Sequence, residues 1–425
     1  MEIASNPPAT AEKHHAAFFR QSGWLMMATI IGGMMSWAVH LLAKRIPDAQ
    51  YSIFGTLLMI TACLPTLPLQ MVLAQQTANA LATDRRRQLA GVIRLISLWL
   101  AAVWLVAMLI VFVYQGRIVA RLELTNPAAL WVTMLAALVS LLSPMFGGAL
   151  QGKQDFFWMG WTAIIMGMTR LVLAAVFVLG FQTGATGMMI GALVGLSLSA
   201  AVAIWQTRDL WWMKPEPFDK QGLFRQVVPL LLGFGACQFM FTTDTIFAKS
   251  YFTGDEMAPY VAAGTLSRAL LWLVLPIAAV MFPKLVHSSV KAEKTNLLAI
   301  VLLGTGVLSI CGALGMWLTG PIMIPLVWKA AWAKAAVGLL PWYALAMVPL
   351  ALGNVLVNDL LARSRFRIVP VMVALAIAYG FALTRFHTTL VMVLQTLGVF
   401  NLLLLAAGAW FTWRDRPATA ATKLS

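Results

Sequence analysis

Charge is what this chain has least of: 11% of its 425 residues are Asp, Glu, Lys or Arg, against 61% hydrophobic. A soluble enzyme surface cannot be built from so few charges, and no stretch is polar enough to form a separate soluble domain. Acidic residues are scarcer still, 15 against 30 basic ones. The three cysteines, Cys63, Cys237 and Cys311, fall in apolar segments without paired spacing, which excludes a disulfide framework or a zinc site. There is no HExxH, no paired acidic motif and no glycine-rich phosphate loop followed by Lys-Ser/Thr, so neither metal-dependent hydrolysis nor direct ATP use is encoded. No cofactor, no metal and no catalytic residue is expected.

What remains is apolar length. A helix of about 20 residues crosses ~30 Å of hydrocarbon, and about twelve such blocks are centred near Ile31, Met59, Ala101, Leu135, Met166, Leu193, Gly233, Leu270, Leu308, Leu345, Ala374 and Leu402. The expectation is an all-α polytopic membrane protein. Its first apolar block follows AEKHHAAFFRQSG and lacks a small-residue cleavage site, so it reads as a retained span.

With the spans numbered in order, 19 basic residues fall on one side, among them Arg85, Arg86, Arg87, Lys153, Arg208 and Arg363, and 8 on the other. That bias puts both termini in the cytoplasm. The net charge of +15 then belongs to cytoplasmic loops beside anionic lipids, and no nucleic-acid partner is implied. Expected boundaries are a tail over 1–22, six spans over 23–206, a linker over 207–222, six more spans over 223–413, and a tail over 414–425.

The halves match weakly at two turns. HLLAKRIPDAQYSIFG after span one aligns with TIFAKSYFTGDEMAPYVAAG after span seven, and ALQGKQDFFWMG after span four with DLLARSRFRIVP after span ten. Six spans separate equivalent positions, so the repeats are parallel, as in several transporter folds.

Three segments carry a more specific resemblance: AKRIPDAQYSIFG, LQGKQDF, and the run AAGTLSRALLWLVLPIAAVMFPKLVH. Together they resemble the polysaccharide (O-antigen-type) flippases of the multidrug/oligosaccharidyl-lipid/polysaccharide exporter superfamily. Ile46 and Asp155 depart from that pattern, replacing a glycine-rich step and a common basic residue. The resemblance implies two six-helix lobes around a central cavity opening alternately to each side of a bacterial inner membrane. It also implies a lipid-linked saccharide as cargo and other polysaccharide-assembly membrane proteins as partners.

An ionisable residue deep in a span costs roughly 2.5 to 3.5 kcal/mol on insertion scales, so each requires an account. Arg94 stands near the start of span three, where it either snorkels to the inner face or lines a cavity. Arg170 in MGMTRLVLAA is deeper, and either pairs within the bundle or faces a polar cavity. Asp244 and Arg268, on adjacent spans, either pair structurally or serve cargo and coupling ion. Asp359 lies beside Asn354 and Asn358, which are i and i+4 on one helix face; its alternatives are a cavity wall and an i+4 pair with Arg363.

Arginine suits a phosphate-bearing cargo, because guanidinium binds phosphate through two parallel hydrogen bonds and does not deprotonate. Arg94, Arg170, Arg268, Asn354 and Asn358 are therefore the candidate substrate contacts, with Asp244 and Asp359 as ion-coupling or charge-pair candidates. The resulting expectation is a flippase for a polyprenyl-diphosphate-linked saccharide. The alternatives are an ion-coupled drug exporter, an antiporter whose sites would be the two aspartates, and, further off, a membrane glycosyl ligase or scaffold.

Gly187, Gly191, Gly195 and Ser199 in span six recur every four residues and predict close helix contact. Prolines at 65, 68, 144, 229, 276 and 349 predict bends.

Overall fold

The computed structural model describes residues 9–270, 297–363 and 365–414, with side chains from Gly23 onward except those of Leu297, Ile300 and Ala362. Among these the chain is all-helical, and eleven helices are long and apolar enough to cross a membrane. Each contains one of the expected span centres. The twelfth centre, Leu270, is the last described residue of the helix that begins at 254; the remainder of that span and Pro276 lie outside the described residues. The chain is a multi-pass membrane protein.

In chain order the helices are α1 (Ala9–Ala38), α2 (Asp48–Ala62), α3 (Thr66–Ala82), α4 (Arg86–Arg121), α5 (Ala128–Gly152), α6 (Phe156–Ala175), α7 (Gly184–Gln206), α8 (Arg208–Trp211), α9 (Lys220–Lys249), α10 (254–270), α11 (Leu297–Val327), α12 (Ala333–Ala362), α13 (Val369–Arg385) and α14 (Leu390–Arg414). Span two is divided between α2 and α3. Pro65 turns the preceding residue out of the helical region, and Pro68 is accommodated in the first turn of α3, where a missing N–H costs no bond. At this break the Ala62 carbonyl accepts a hydrogen bond from Gln238 Nε2 at 2.5 Å. Pro144, Pro229 and Pro349 sit inside α5, α9 and α12.

The helices group into two compact units. The first holds residues 1–42, 66–119 and 125–221. Its helix crossings depend on missing side chains: Gly32 on α1 meets Gly167 on α6, where a Cβ at either would run into backbone. On α7, a Cβ at Gly195 would sit 2.7 Å from the Met166 carbonyl oxygen, and one at Gly191 would sit 2.8 Å from that of Arg170. The four-residue glycine spacing is thus a packing seam between α7 and α6.

The linker is fastened to this first unit. Lys153 Nζ bonds Asp209 at 2.8 Å and the Gln206 carbonyl at 3.0 Å; Arg87 meets Glu216 at 3.2 Å. On α4, Leu98, Leu105, Leu109 and Val113 are each 61–70% exposed, an apolar face suited to lipid.

The second unit holds residues 43–65, 120–124 and 222–425. Two pieces of the first half of the chain therefore pack with the second half. Tyr51 on α2 accepts from Trp328 Nε1 at 2.5 Å in a fully buried contact. Asp48 at the head of α2 bonds Lys329 Nζ at 2.5 Å and Trp332 Nε1 at 2.7 Å. The segment 120–124 is held by an ion pair between Glu123 and Lys249 and by Arg121, which lies 5.0 Å from the Tyr251 ring centre.

Candidate functional site

Asp244 lies on α9 in the run TTDT, flanked by small threonines that let neighbouring helices approach, and is completely buried in the second unit. α10 contributes Tyr260 and Arg268, eight residues apart and hence close to one face, and α12 contributes Tyr343. Arg268 Nη2 bonds Asp244 Oδ1 at 2.6 Å and Thr245 Oγ1 at 2.9 Å, while its Nε donates to the Phe241 carbonyl at 3.2 Å. The other carboxylate oxygen, Oδ2, accepts from the hydroxyls of Tyr260, at 2.8 Å, and Tyr343.

The guanidinium sits against aromatic rings, 5.2 Å from the centre of Tyr343 and 5.5 Å from that of Phe241. Tyr260 and Tyr343 are themselves 5.3 Å apart. Tyr379 on α13 is buried, its hydroxyl has no hydrogen-bond partner, and it lies within electrostatic reach of Asp244, Arg268 and Tyr343. Burial of both charges at 5% exposure or less makes each dependent on the other, since an unpaired ion in this interior carries a large desolvation penalty. In this structure Asp244 and Arg268 are bonded to each other.

The remaining residues are placed separately. Arg170 on α6 is half-buried in the first unit, in a helix packed against α1 and α7, and its guanidinium lies within electrostatic reach of the buried His40. Arg94 is exposed and donates from Nη2 to the carbonyls of Trp211 and Met213, at 3.2 and 2.8 Å. Its guanidinium thus bonds the backbone of the linker.

On α12, Asn358 Nδ2 donates to the Asn354 carbonyl at 2.8 Å and lies 3.4 Å from its Oδ1, so the two amides share a face and are engaged with each other. Asp359 pairs with Arg363 at 2.9 Å, one turn on. Among the described residues no group of three His, Cys, Asp or Glu side chains could hold a metal ion.

Sequence reasoning missed the tyrosines. A signal existed: the chain has only 6 tyrosines, and Tyr51, Tyr260, Tyr343 and Tyr379 lie within apolar stretches, where burying a hydroxyl without a partner is costly. Nothing in the sequence, however, brings Tyr343 to a carboxylate 99 residues away.

The architecture recurs among known transporters. An inward-facing multidrug-resistance MATE family transporter of the MOP superfamily superposes with a TM-score of 0.71 at 13% identity, covering 91% of this chain and 94% of its own. A structure titled lipid II flippase MurJ, in an inward closed conformation, gives 0.68 at 14% identity, with 94% and 88% covered. A MOP superfamily transporter from Pyrococcus furiosus, described as having reverse polarity of the binding pocket, gives 0.62 at 12%, with 94% and 95% covered. No curated protein matches the sequence. The family model described as "Lipid II flippase MurJ" matches residues 27–413.

Proposed function

Because the chain belongs to the lipid II flippase MurJ family, we propose that it moves a polyprenyl-diphosphate-linked saccharide from the inner to the outer leaflet of a bacterial cytoplasmic membrane by alternating access, with both termini cytoplasmic. Lipid II is the first cargo to test, being the one in the family's description. Cell-surface polysaccharide synthesis is the process this would serve. Anionic lipids along the basic inner loops and membrane proteins of polysaccharide assembly are the accompanying partners.

The observation that carries this reading is Arg268, a guanidinium placed deep in the apolar interior of the second unit. Its fork geometry and permanent charge match a diphosphate, and a membrane interior strengthens the match by excluding water. Arg170 on α6 is the second proposed contact, in the first unit. Asn354 and Asn358 are proposed saccharide contacts through amide hydrogen bonding. Arg94 is assigned to the linker.

An ion-coupled exporter of the same superfamily would draw on Asp244, for which the MATE-like architecture is the supporting observation. Against it stands the arrangement of the carboxylate, which already holds one internal cation and two hydroxyl donors.

The test is reconstitution of the full chain in liposomes, following the leaflet accessibility of a fluorescent polyprenyl-diphosphate oligosaccharide beside the efflux of a cationic dye. Translocation of the lipid without dye movement is expected; Arg170→Ala should remove it, and Arg268→Lys, which keeps a cation beside Asp244 but loses the guanidinium fork, should lower it sharply, in protein that still inserts and folds. Dye efflux driven by a proton or sodium gradient, with the lipid left in place, would overturn the reading in favour of the exporter.

A further inference from the structure

From the geometry around Asp244 we infer that Arg268 is a detachable counter-ion, and that a diphosphate cargo which draws it away obliges Asp244 to take up one proton from solvent. The inference rests on the proposed diphosphate role of Arg268.

Three observations carry it. First, both carboxylate oxygens of Asp244 are engaged: Arg268 holds Oδ1, Tyr260 and Tyr343 hold Oδ2, and Thr245 Oγ1 lies 3.4 Å from Oδ2. Second, both members are buried, so Arg268 cannot swing to a phosphate and leave a bare carboxylate behind without a severe desolvation penalty. Third, among the described residues, the groups facing Asp244 from each packed element supply no replacement cation. They are Tyr260 and Arg268 on α10, Tyr343 on α12 and Tyr379 on α13, so apart from the arginine they are phenols.

The charges balance in a simple exchange. Before, Asp244 carboxylate and Arg268 guanidinium sum to zero. After, guanidinium and diphosphate are joined by two N–H···O bonds, and Asp244 is a neutral carboxylic acid whose new O–H requires an acceptor. The phenol oxygens of Tyr260 and Tyr343 can supply it by rotating their own protons away, and the buried Tyr379 hydroxyl, with no hydrogen-bond partner, adds spare capacity in the same neighbourhood. Cargo binding is thereby linked to proton uptake, and affinity falls as pH rises, by roughly tenfold per pH unit where one full proton is taken up.

The experiment is isothermal titration of the purified full chain with geranylgeranyl diphosphate at pH 8, in buffers of differing ionisation enthalpy, so that protons taken up per molecule bound are counted. About one is expected for the unmodified protein. Asp244→Asn should take up none, and its affinity should lose the pH dependence. Since Asp244→Asn strands a buried guanidinium and can fail to fold, infrared difference spectra of the unmodified protein provide an independent reading: adding the probe should bring up a protonated-carboxyl C=O stretch that shifts with isotopically labelled aspartate.

Binding with no proton uptake, or with uptake unchanged in Asp244→Asn, would overturn the inference and leave the proposed cargo intact. Absence of binding by the unmodified protein would overturn both.

Discussion

Glu123 and Lys249 form an ion pair whose ends meet opposite environments, the lysine side chain fully buried and the glutamate 54% exposed. Glu123 reaches it from a left-handed backbone, φ 53°, which a residue with a Cβ adopts only when its surroundings hold it there. Glu123→Gln therefore strands a buried ammonium and should lower stability by about 1–3 kcal/mol. Adding Lys249→Met should restore most of that loss, because an apolar replacement removes the uncompensated charge. Thermal unfolding of the two single variants and the double variant forms the cycle; additive losses would show that the pair is not coupled.

At the α1–α6 crossing, Gly32 and Gly167 leave no room for a side chain. Gly167→Val should force the helices apart and destabilise the first unit by about 1–3 kcal/mol. Monodispersity after mild heating in detergent measures this. Unchanged behaviour would mean that the crossing is looser than described.

Arg94 bonds backbone carbonyls of the linker, so Arg94→Ala should leave lipid translocation intact. Two solvent-accessible hydrogen bonds to a charged donor contribute about 1 kcal/mol. The expected consequence is faster limited proteolysis near Trp211–Met213. Loss of translocation with unchanged proteolysis would return Arg94 to the cargo path.

The two aspartates should separate clearly. Asp359 pairs with an Arg363 side chain that is 40% exposed, so Asp359→Asn should cost less than about 1 kcal/mol and leave transport near its original level. Asp244→Asn, stranding a buried guanidinium, should cost about 3–5 kcal/mol. Side-by-side melting curves decide it; equal losses would contradict the difference in burial.

The spans were legible because hydrocarbon thickness imposes one length on every crossing helix, and that length survives in the apolar runs from Ile31 to Leu402. The glycine repeat from Gly187 to Gly195 was legible for a similar reason, since a helix period converts spacing into a shared face. Arg363 was readable as the partner of Asp359 from an i+4 separation. The Asp244–Arg268 pair was half-legible: adjacency of spans made contact available, and only packing decided it. Tyr343 and Glu123 were not legible. Each reaches its partner across about a hundred residues, through helix packing that no local period records.

The burial of Tyr51 against Trp328, and of Asp48 against Lys329 and Trp332, also bears on how this molecule could be divided. The second unit is not encoded as one uninterrupted stretch: a polypeptide starting at Gly222 would lack 43–65 and 120–124, leaving an indole without its acceptor and Lys249 without its carboxylate. Expressed alone, such a fragment should be short-lived, and a cut in the linker should be tolerated only when both pieces are made together. Each half of the sequence therefore depends on the other to fold, in a protein whose repeats suggest two self-sufficient pieces.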